Sequence, residues 1–409
     1  MRTPAPRPPL ARAPAVVTGL GLVTPGGSEL DSTWSAVLAG RRTAAPDPEL
    51  AGLPVSLSCR VPALEHPVLR RRGSARLDRA DRFALAAVAQ ALEQAGLDPG
   101  AWDGSRVAVV TGGGLGGVRT QDQAMARFTE LGPEFVSPYF LTGYLMNMVC
   151  ANIALCFGVT GPALSTCTAC ASGTTALGLA RELLANGSCD IALVCGADAG
   201  ITRLTVTGFA RLGALSDTGS RPFDASRDGF VIAEGAGALV LERPEHAAAR
   251  AARPLAHLIG YAASTDAHHL VSPHPEGRGA EQAVRAALAD AGVRPEDVGH
   301  VNAHGTSTRQ NDTVEAAVLR RVFPHRPPVT SAKGALGHTL GAAGAIEAAL
   351  TVLALTEGTV PPTAGLDVAD AGMDIDVVAG EARAHPSSVA VSTSFGFGGH
   401  NAVAVLARA

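Results

Sequence analysis

Apolar positions along the chain fall into short continuous runs, set between longer stretches in which they recur every three or four residues. The run Ala15-Val-Val-Thr-Gly-Leu-Gly-Leu-Val-Thr24 leads into Pro25-Gly-Gly27 and predicts a buried strand, and residues 32–39, closed by Gly40, predict a helix. A second helical period covers 80–95 and stops at Gly96; 106–110 is a strand entering the glycine-rich turn Gly112-Gly-Gly-Leu-Gly-Gly117. Ala176, Leu177, Leu179, Ala180, Leu183 and Leu184 then keep helical spacing until Asn186-Gly187. Strands are expected at 190–196 and 236–242, with a linker-like segment at 243–250. After it come a strand at 255–261, a helix at 280–291, a strand at 298–302, a helix at 313–322 and a strand at 328–331.

Such alternation predicts α/β layers around buried, mostly parallel sheets. Both halves open on a strand, carry a strand into a small-residue turn and end on paired strands. The chain therefore reads as a duplicated unit: a poorly ordered Pro-, Ala- and Arg-rich tail over 1–13, one half over 14–250 and a second over 251–409. With 409 residues there is room for a large core.

Composition narrows function by exclusion. Hydrophobic residues are 46% and charged residues 17% of the chain, a globular composition. Lys+Arg 33 against Asp+Glu 37 gives a net charge of -4, which argues against nucleic-acid binding. Apolar runs such as Ile191-Ala-Leu-Val-Cys195 are too short to span a membrane, and the Arg- and Pro-rich start has no apolar signal region, so a cytoplasmic protein is expected. The seven cysteines, at 59, 150, 156, 167, 170, 189 and 195, lack paired metal-ligand spacing, and no metal is expected. Cys167-Thr-Ala-Cys170 has the C-x-x-C form of a redox motif without the flanks of one. The turn at 112–117 is followed by neither G-K-[ST] nor a dinucleotide fingerprint, so it reads as close backbone packing rather than a phosphate cradle. Lys333 is the single lysine of the chain and stands out for that reason.

The stretch Ser165-Thr-Cys-Thr-Ala-Cys-Ala-Ser-Gly173 places Cys170 where a tight turn becomes a helix. Helix-terminal N–H groups there favour a thiolate, the reactive form; a lone cysteine is more often a small buried hydrophobe. Three more segments carry reactive side chains or glycine-rich backbone at strand ends, where ligand sites of α/β folds collect. They are Val301-Asn-Ala-His-Gly-Thr-Ser-Thr308, Ser331-Ala-Lys-Gly-Ala-Leu-Gly-His338 running on to Glu347, and Ser394-Phe-Gly-Phe-Gly-Gly-His-Asn401. Either His304 or His338 alone would pass for a structural histidine, but a cysteine with two such histidines is harder to dismiss.

Together these segments resemble the β-ketoacyl synthases of the thiolase fold, in particular β-ketoacyl-[acyl carrier protein] synthase II and the ketosynthase subunits of type II polyketide synthases. The resemblance covers most of the chain from Ala15 to Leu406 and rests on Thr168-Ala-Cys170-Ala-Ser-Gly173, His304-Gly-Thr-Ser-Thr308, Lys333 with Gly337-His338, Gly341-Ala-Ala-Gly344, and Gly396-Phe-Gly-Gly399 with Asn401. Arg221-Pro-Phe-Asp-Ala-Ser-Arg-Asp-Gly-Phe230, followed by Glu234-Gly-Ala-Gly237, is a further family signature. It implies duplicated βαβαβαββ halves in an α/β/α/β/α sandwich, and an acyltransferase that condenses a cysteine-bound acyl group with malonyl-acyl carrier protein. No cofactor is implied beyond the carrier's phosphopantetheine.

By the same resemblance Cys170 is the acylated nucleophile, His304 and His338 promote decarboxylation, and Lys333 pairs with Glu347 to orient the site. The N–H groups of Cys170 and Phe397 form the oxyanion hole, Thr306 and Thr308 bind the pantetheine arm, Phe397 gates the acyl pocket, and Gly398 and Gly399 beside it bind substrate. Asp266 and His269 fall on a loop that moves with the gate, Asp312 and Glu315 order the first histidine, and Arg70, Arg71, Arg72 and Arg76 form a basic patch for docking acyl carrier protein. A homodimer is expected, or a heterodimer with a chain-length factor lacking the cysteine. Departures from the family pattern are Arg309 where proline is usual, Gly334 where serine is commoner and His400 where threonine is common. Degradative thiolases use a second cysteine, initiating synthases an asparagine for the second histidine, and chain-length factors no nucleophile. Fatty-acid and polyketide elongation both stay open.

Overall fold

The computed structural model describes residues 14–71 and 73–409. Ten strands form one sheet. In chain order they are β1 (Ala15–Val23), β2 (Val107–Gly112), β3 (Ala163–Thr166), β4 (Ile191–Asp198), β5 (Gly235–Glu242), β6 (Ala256–Thr265), β7 (His300–Asn302), β8 (Val329–Thr330), β9 (Val389–Gly396) and β10 (His400–Arg408). Their spatial order is β8-β7-β9-β10-β6-β1-β5-β4-β2-β3. The two sides of the β1/β6 seam repeat each other strand for strand. β2 runs parallel to β3 and β4, β4 antiparallel to β5 and β5 antiparallel to β1. In the same way β7 runs parallel to β8 and β9, β9 antiparallel to β10 and β10 antiparallel to β6. The seam itself is short, pairing Ala15, Val16 and Val17 with Leu258, His257 and Ala256.

Nine helices are used below: α1 (Leu30–Leu38), α2 (Arg79–Ala95), α3 (Val118–Leu131), α4 (Met148–Phe157), α5 (Ser172–Ala185), α6 (Arg203–Arg211), α7 (Arg278–Ala291), α8 (Arg309–Val322) and α9 (Ala343–Glu357). α5 and α9 lie between the half-sheets and touch strands of both, while α2 packs against β1, β5 and β4 and α7 against β6 and β10. The α/β layering is as expected, but the sheet is mixed rather than mostly parallel: five of its nine strand pairings are antiparallel, because each half closes toward the seam on antiparallel neighbours, β4-β5-β1 and β9-β10-β6. α9 is buried on nearly every side and, apart from Glu347 and Thr351, almost wholly apolar there, which fits a helix with almost no face toward water. By length and composition 340–357 could cross a membrane, but 83% of that window is buried inside the protein, as a core helix must be. Small residues let α5 and α9 touch: a Cβ on Gly173 would lie 2.5 Å from the Ala345 nitrogen. That close crossing fixes the starts of both helices, where the chemistry is found.

Three expectations are corrected here. The linker-like 243–250 contains the helix Pro244–Ala249, and it is tied down because buried Glu242 binds Thr18, His246 and Arg250. The helix expected at 313–322 starts at Arg309, capped by Thr308, whose hydroxyl accepts from the Asn311 N–H. Helix α9 and the two closing strands β9 and β10 had no assigned spans. The tail at 1–13 lies outside the described residues.

Candidate active site

Cys170 sits on the elbow between β3 and α5. Ala169 before it has φ 49, a left-handed backbone for a residue with a Cβ, and such strain is held only where the surroundings fix it. Ser172 does so: its hydroxyl donates to the Ala169 carbonyl at 2.6 Å and accepts from the Thr168 N–H at 2.9 Å. Thr168 and Thr175 hydroxyls meet at 2.8 Å beside it. Gly396 at the end of β9 closes against this elbow, where a Cβ would lie 2.7 Å from the Thr168 carbonyl oxygen and 3.1 Å from the Cys170 nitrogen. No backbone carbonyl among the described residues takes the N–H of Cys170 or Phe397.

Nε2 of His338 stands 3.2 Å from the Cys170 sulfur, and the two imidazole rings of His304 and His338 lie 5.5 Å apart. The tautomer of each ring follows from its other nitrogen. Leu340 N–H donates to Nδ1 of His338 at 3.2 Å, and the Lys333 ammonium approaches Nδ1 of His304 at 3.3 Å. Both Nδ1 atoms accept, so in both neutral rings the proton is on Nε2. Burial first, then the Lys333 charge, holds both imidazoles well below the usual histidine range. Two uncharged N–H donors therefore belong to this site.

Lys333 is wholly buried; its ammonium also donates to the His304 carbonyl at 2.6 Å and forms a very short pair with Glu347. Glu315 accepts the His304 N–H at 2.8 Å and the Gly305 N–H at 2.7 Å, and Asp312 accepts the Ser307 N–H at 3.1 Å and the Phe223 N–H at 2.8 Å. The 304–308 loop is thus pinned from behind by two carboxylates, while Phe230 packs edge-on against His338 at 4.9 Å.

A cavity of about 360 Å³ opens onto these groups, within the ~300–1,000 Å³ of ligand sites. Cys170, His304, His338, Thr306, Thr308 and Phe397 all line it. Comparison with known proteins settles which family builds such a site. Residues 12–247 match the β-ketoacyl synthase N-terminal domain and 255–367 the β-ketoacyl synthase C-terminal domain. The chain belongs to the β-ketoacyl synthase family. It is 38% identical over 406 residues to a 3-oxoacyl-[acyl-carrier-protein] synthase 2 of Synechocystis, covering 96% of this chain and 97% of that one. It is 37% identical to the protein of the same description in Coxiella burnetii, covering 96% and 98%. Among solved structures, the ishigamide ketosynthase/chain length factor superposes with a TM-score of 0.92 at 34% identity, covering 98% of this chain and 100% of that one. A type II PKS acyl-carrier protein in complex with its ketosynthase gives 0.90 at 29% identity, covering 97% and 100%.

In this ketosynthase the surroundings of Cys170 act against the thiolate that the start of α5 favours. Burial pushes the Cys170 thiol up to about 12, and the Lys333 ammonium only partly opposes it. Cys170 itself is half-buried and lines the cavity. Cys170, His304 and His338 also bring three donor atoms within 4.8 Å of one another, a set that zinc accepts by composition. Metal-bound histidines donate from the nitrogen opposite the metal, whereas both rings here accept there, so these residues do not fit a metal.

The remaining expected residues are partly brought together. Asp266 and Gly399 line the cavity, and Asp266 is held by the Asn401 amide at 2.9 Å. Gly398 is exposed and His269 is not a lining residue; its Nδ1 accepts the N–H groups of Val271 and Ser272 on the outer loop. On the surface, Arg71 binds the Cys156 carbonyl and Arg76 stacks 4.3 Å over Tyr139, while Arg70 is exposed. Arg72 lies outside the described residues. Asp198 was missed: at the end of β4 it accepts N–H groups of Gly114, Leu115 and Gly341 at 2.7–3.1 Å, joining the glycine-rich turn to the His338 turn. Its signal in the sequence was an acid ending an apolar strand, Gly196-Ala-Asp198.

Proposed function

We propose that this protein elongates an acyl chain by decarboxylative Claisen condensation, with Cys170 as nucleophile. The two Nε2–H donors beside Cys170, that of His338 at 3.2 Å from the sulfur, carry this reading. In the first half-reaction the sulfur attacks an acyl thioester on acyl carrier protein; the thiol proton leaves with the carrier's sulfur, and the acyl group stays on Cys170. Malonyl-acyl carrier protein then loses carbon dioxide. Negative charge builds on its thioester oxygen, and His304 and His338 stabilise that enolate by hydrogen bonds without giving up their protons. The enolate carbon attacks the Cys170 thioester, the free N–H groups of Cys170 and Phe397 hold the tetrahedral oxyanion, and the sulfur departs and takes up a proton. Neutral imidazoles suit this role, because a cationic ring would invite proton transfer to the enolate carbon and waste the extender. The reaction needs no cofactor beyond the carrier's phosphopantetheine.

Mass spectrometry tests the reading. Intact protein incubated with acyl-acyl carrier protein gains the acyl mass on Cys170, and adding malonyl-acyl carrier protein removes it with release of a β-ketoacyl product. Persistence of the adduct after malonyl addition would refute condensation.

The halves 14–250 and 251–409 are proposed as one structural unit with a further subunit beside it. Among the described residues the outer edge of β3 is unpaired, with Ala163, Leu164 and Ser165 exposed; Leu155 on α4, which packs beside β3, is exposed as well, and so are Phe128, Leu131 and Phe135 in 118–135. At the opposite edge β8 is covered, since Val329 exchanges hydrogen bonds with Asp376 and Val378. An open apolar edge is an aggregation hazard unless another chain covers it. The solved relatives described as ketosynthase with chain length factor support a second chain of the same fold there. Light scattering at micromolar concentration is expected to give twice the chain mass, either alone or with a cysteine-less homologue; a monomer in both cases would exclude it.

A further inference from the structure

Arg309 is the departure from the family pattern that the reaction above leaves unused. It follows Thr308 directly as the first residue of α8, is exposed, and lines the cavity that ends at Cys170. Its backbone is fixed, for its carbonyl accepts from Nη2 of buried Arg227 at 3.3 Å. Its guanidinium makes no hydrogen bond or ion pair with a described residue. It acts on Asp370 through space, but that carboxylate is already bonded to Arg227 at 2.7 Å.

Along one wall of the cavity the side chains change in a fixed order. His304 and Thr306 are buried, Thr308 is half-buried and Arg309 is exposed, so the sequence runs from the sulfur to the mouth as imidazole, hydroxyl, hydroxyl, guanidinium. The two hydroxyls meet at 2.9 Å. A phosphopantetheine arm has the same order of needs: a thioester at the tip, two amides along the stem and a phosphate at the base. We infer that Arg309 is a subsite for the phosphate of 4′-phosphopantetheine, so that this chain reads the arm's base as well as its tip. This rests on the condensation reading and on Thr306 and Thr308 facing the amides. A guanidinium fork suits a phosphate because it donates two parallel hydrogen bonds. Asp228, also exposed at the mouth, opposes an anion there and keeps the gain modest. Proline, usual at this position in the family, would leave the phosphate to solvent and to the carrier protein.

Both acyl carrier protein and coenzyme A carry this arm, and the assignment here is to the carrier. The test uses Cys170 acylation by acyl-acyl carrier protein as the readout, with pantetheine, phosphopantetheine and coenzyme A as competing inhibitors. In wild-type protein phosphopantetheine is expected to inhibit about tenfold better than pantetheine, the size of one charge-assisted contact at an open site. In Arg309→Ala the two inhibit alike, and in Arg309→Lys part of the preference returns. A wild-type ratio of one, or a ratio that survives in Arg309→Ala, overturns the subsite. Coenzyme A binding far more tightly than phosphopantetheine overturns the assignment to the carrier. If carrier-bound acyl groups never reach Cys170 in wild-type protein, the condensation reading fails and the subsite falls with it. Normal acylation with the wrong inhibitor ratios overturns the subsite alone.

Discussion

Cys170→Ala is expected to form no acyl adduct and to lower β-ketoacyl product by a factor of about 10³ or more, because the covalent route disappears with its nucleophile. Decarboxylation of malonyl-acyl carrier protein should persist. The Leu340 N–H and the Lys333 ammonium set the tautomers of His338 and His304, and neither contact involves the sulfur. Removing Sγ leaves both Nε2–H donors in place with room between them for the enolate oxygen. Release of carbon dioxide from the alanine variant, measured without product formation, separates the two halves of the reaction. His304→Ala and His338→Ala reverse the pattern: each should keep more of the acylation rate than of the decarboxylation rate. Equal loss of both steps in both variants, or product at the normal rate from Cys170→Ala, would contradict this division of labour. The resting thiol adds a check on wild-type protein. With the thiol pushed up to about 12, its alkylation by iodoacetamide should keep climbing as pH rises past the ordinary cysteine value of 9.

How much of this was legible in the sequence varies with the physics of each part. Strand and helix alternation gave the layers, because strands buried on both faces are continuous apolar runs and α2 and α7 keep one polar face. The topological repeat across the β1/β6 seam follows from strand directions, which no single run of residues reports. α9 escaped assignment for a related reason: a helix enclosed on all sides has no period to read. Cys170, His304 and His338 could be picked out only together and through family resemblance; what joined them is long-range, with a sequence separation of 168 between His338 and Cys170. The expectation of a thiolate rested on a helix start, which is a local feature, whereas the burial that pushes the Cys170 thiol up is set by α9, β9 and the His338 turn arriving from the other half. Asp198 was missed on the same ground, since its three N–H partners come from segments remote from it in the chain.

Lys333→Ala should be the most damaging change outside the nucleophile, and it should damage stability and chemistry separately. The ammonium is enclosed with the Glu347 carboxylate, and breaking one side of a buried pair destabilises by roughly 3–5 kcal/mol. Burial already pushes Glu347 up to about 7 from its model-compound 4.5, with Lys333 pulling the other way. A carboxyl whose folded-state pKa is raised binds more protons folded than unfolded, so its contribution to stability falls as pH rises from 4.5 toward the folded value. Without Lys333 that window extends upward, and the variant's deficit in thermal midpoint should be larger at pH 8 than at pH 6. Lys333→Met with Glu347→Gln removes both charges and keeps the volume, so it should recover most of the stability. It cannot recover the chemistry: His304 would lose the donor that keeps Nδ1 unprotonated, and its Nε2–H would no longer be assured. Decarboxylation should therefore stay well below wild type in the double variant while acylation of Cys170 recovers. A double variant that regains both stability and decarboxylation would reduce Lys333 to a packing residue; loss of stability that is independent of pH would detach Glu347 from the pair.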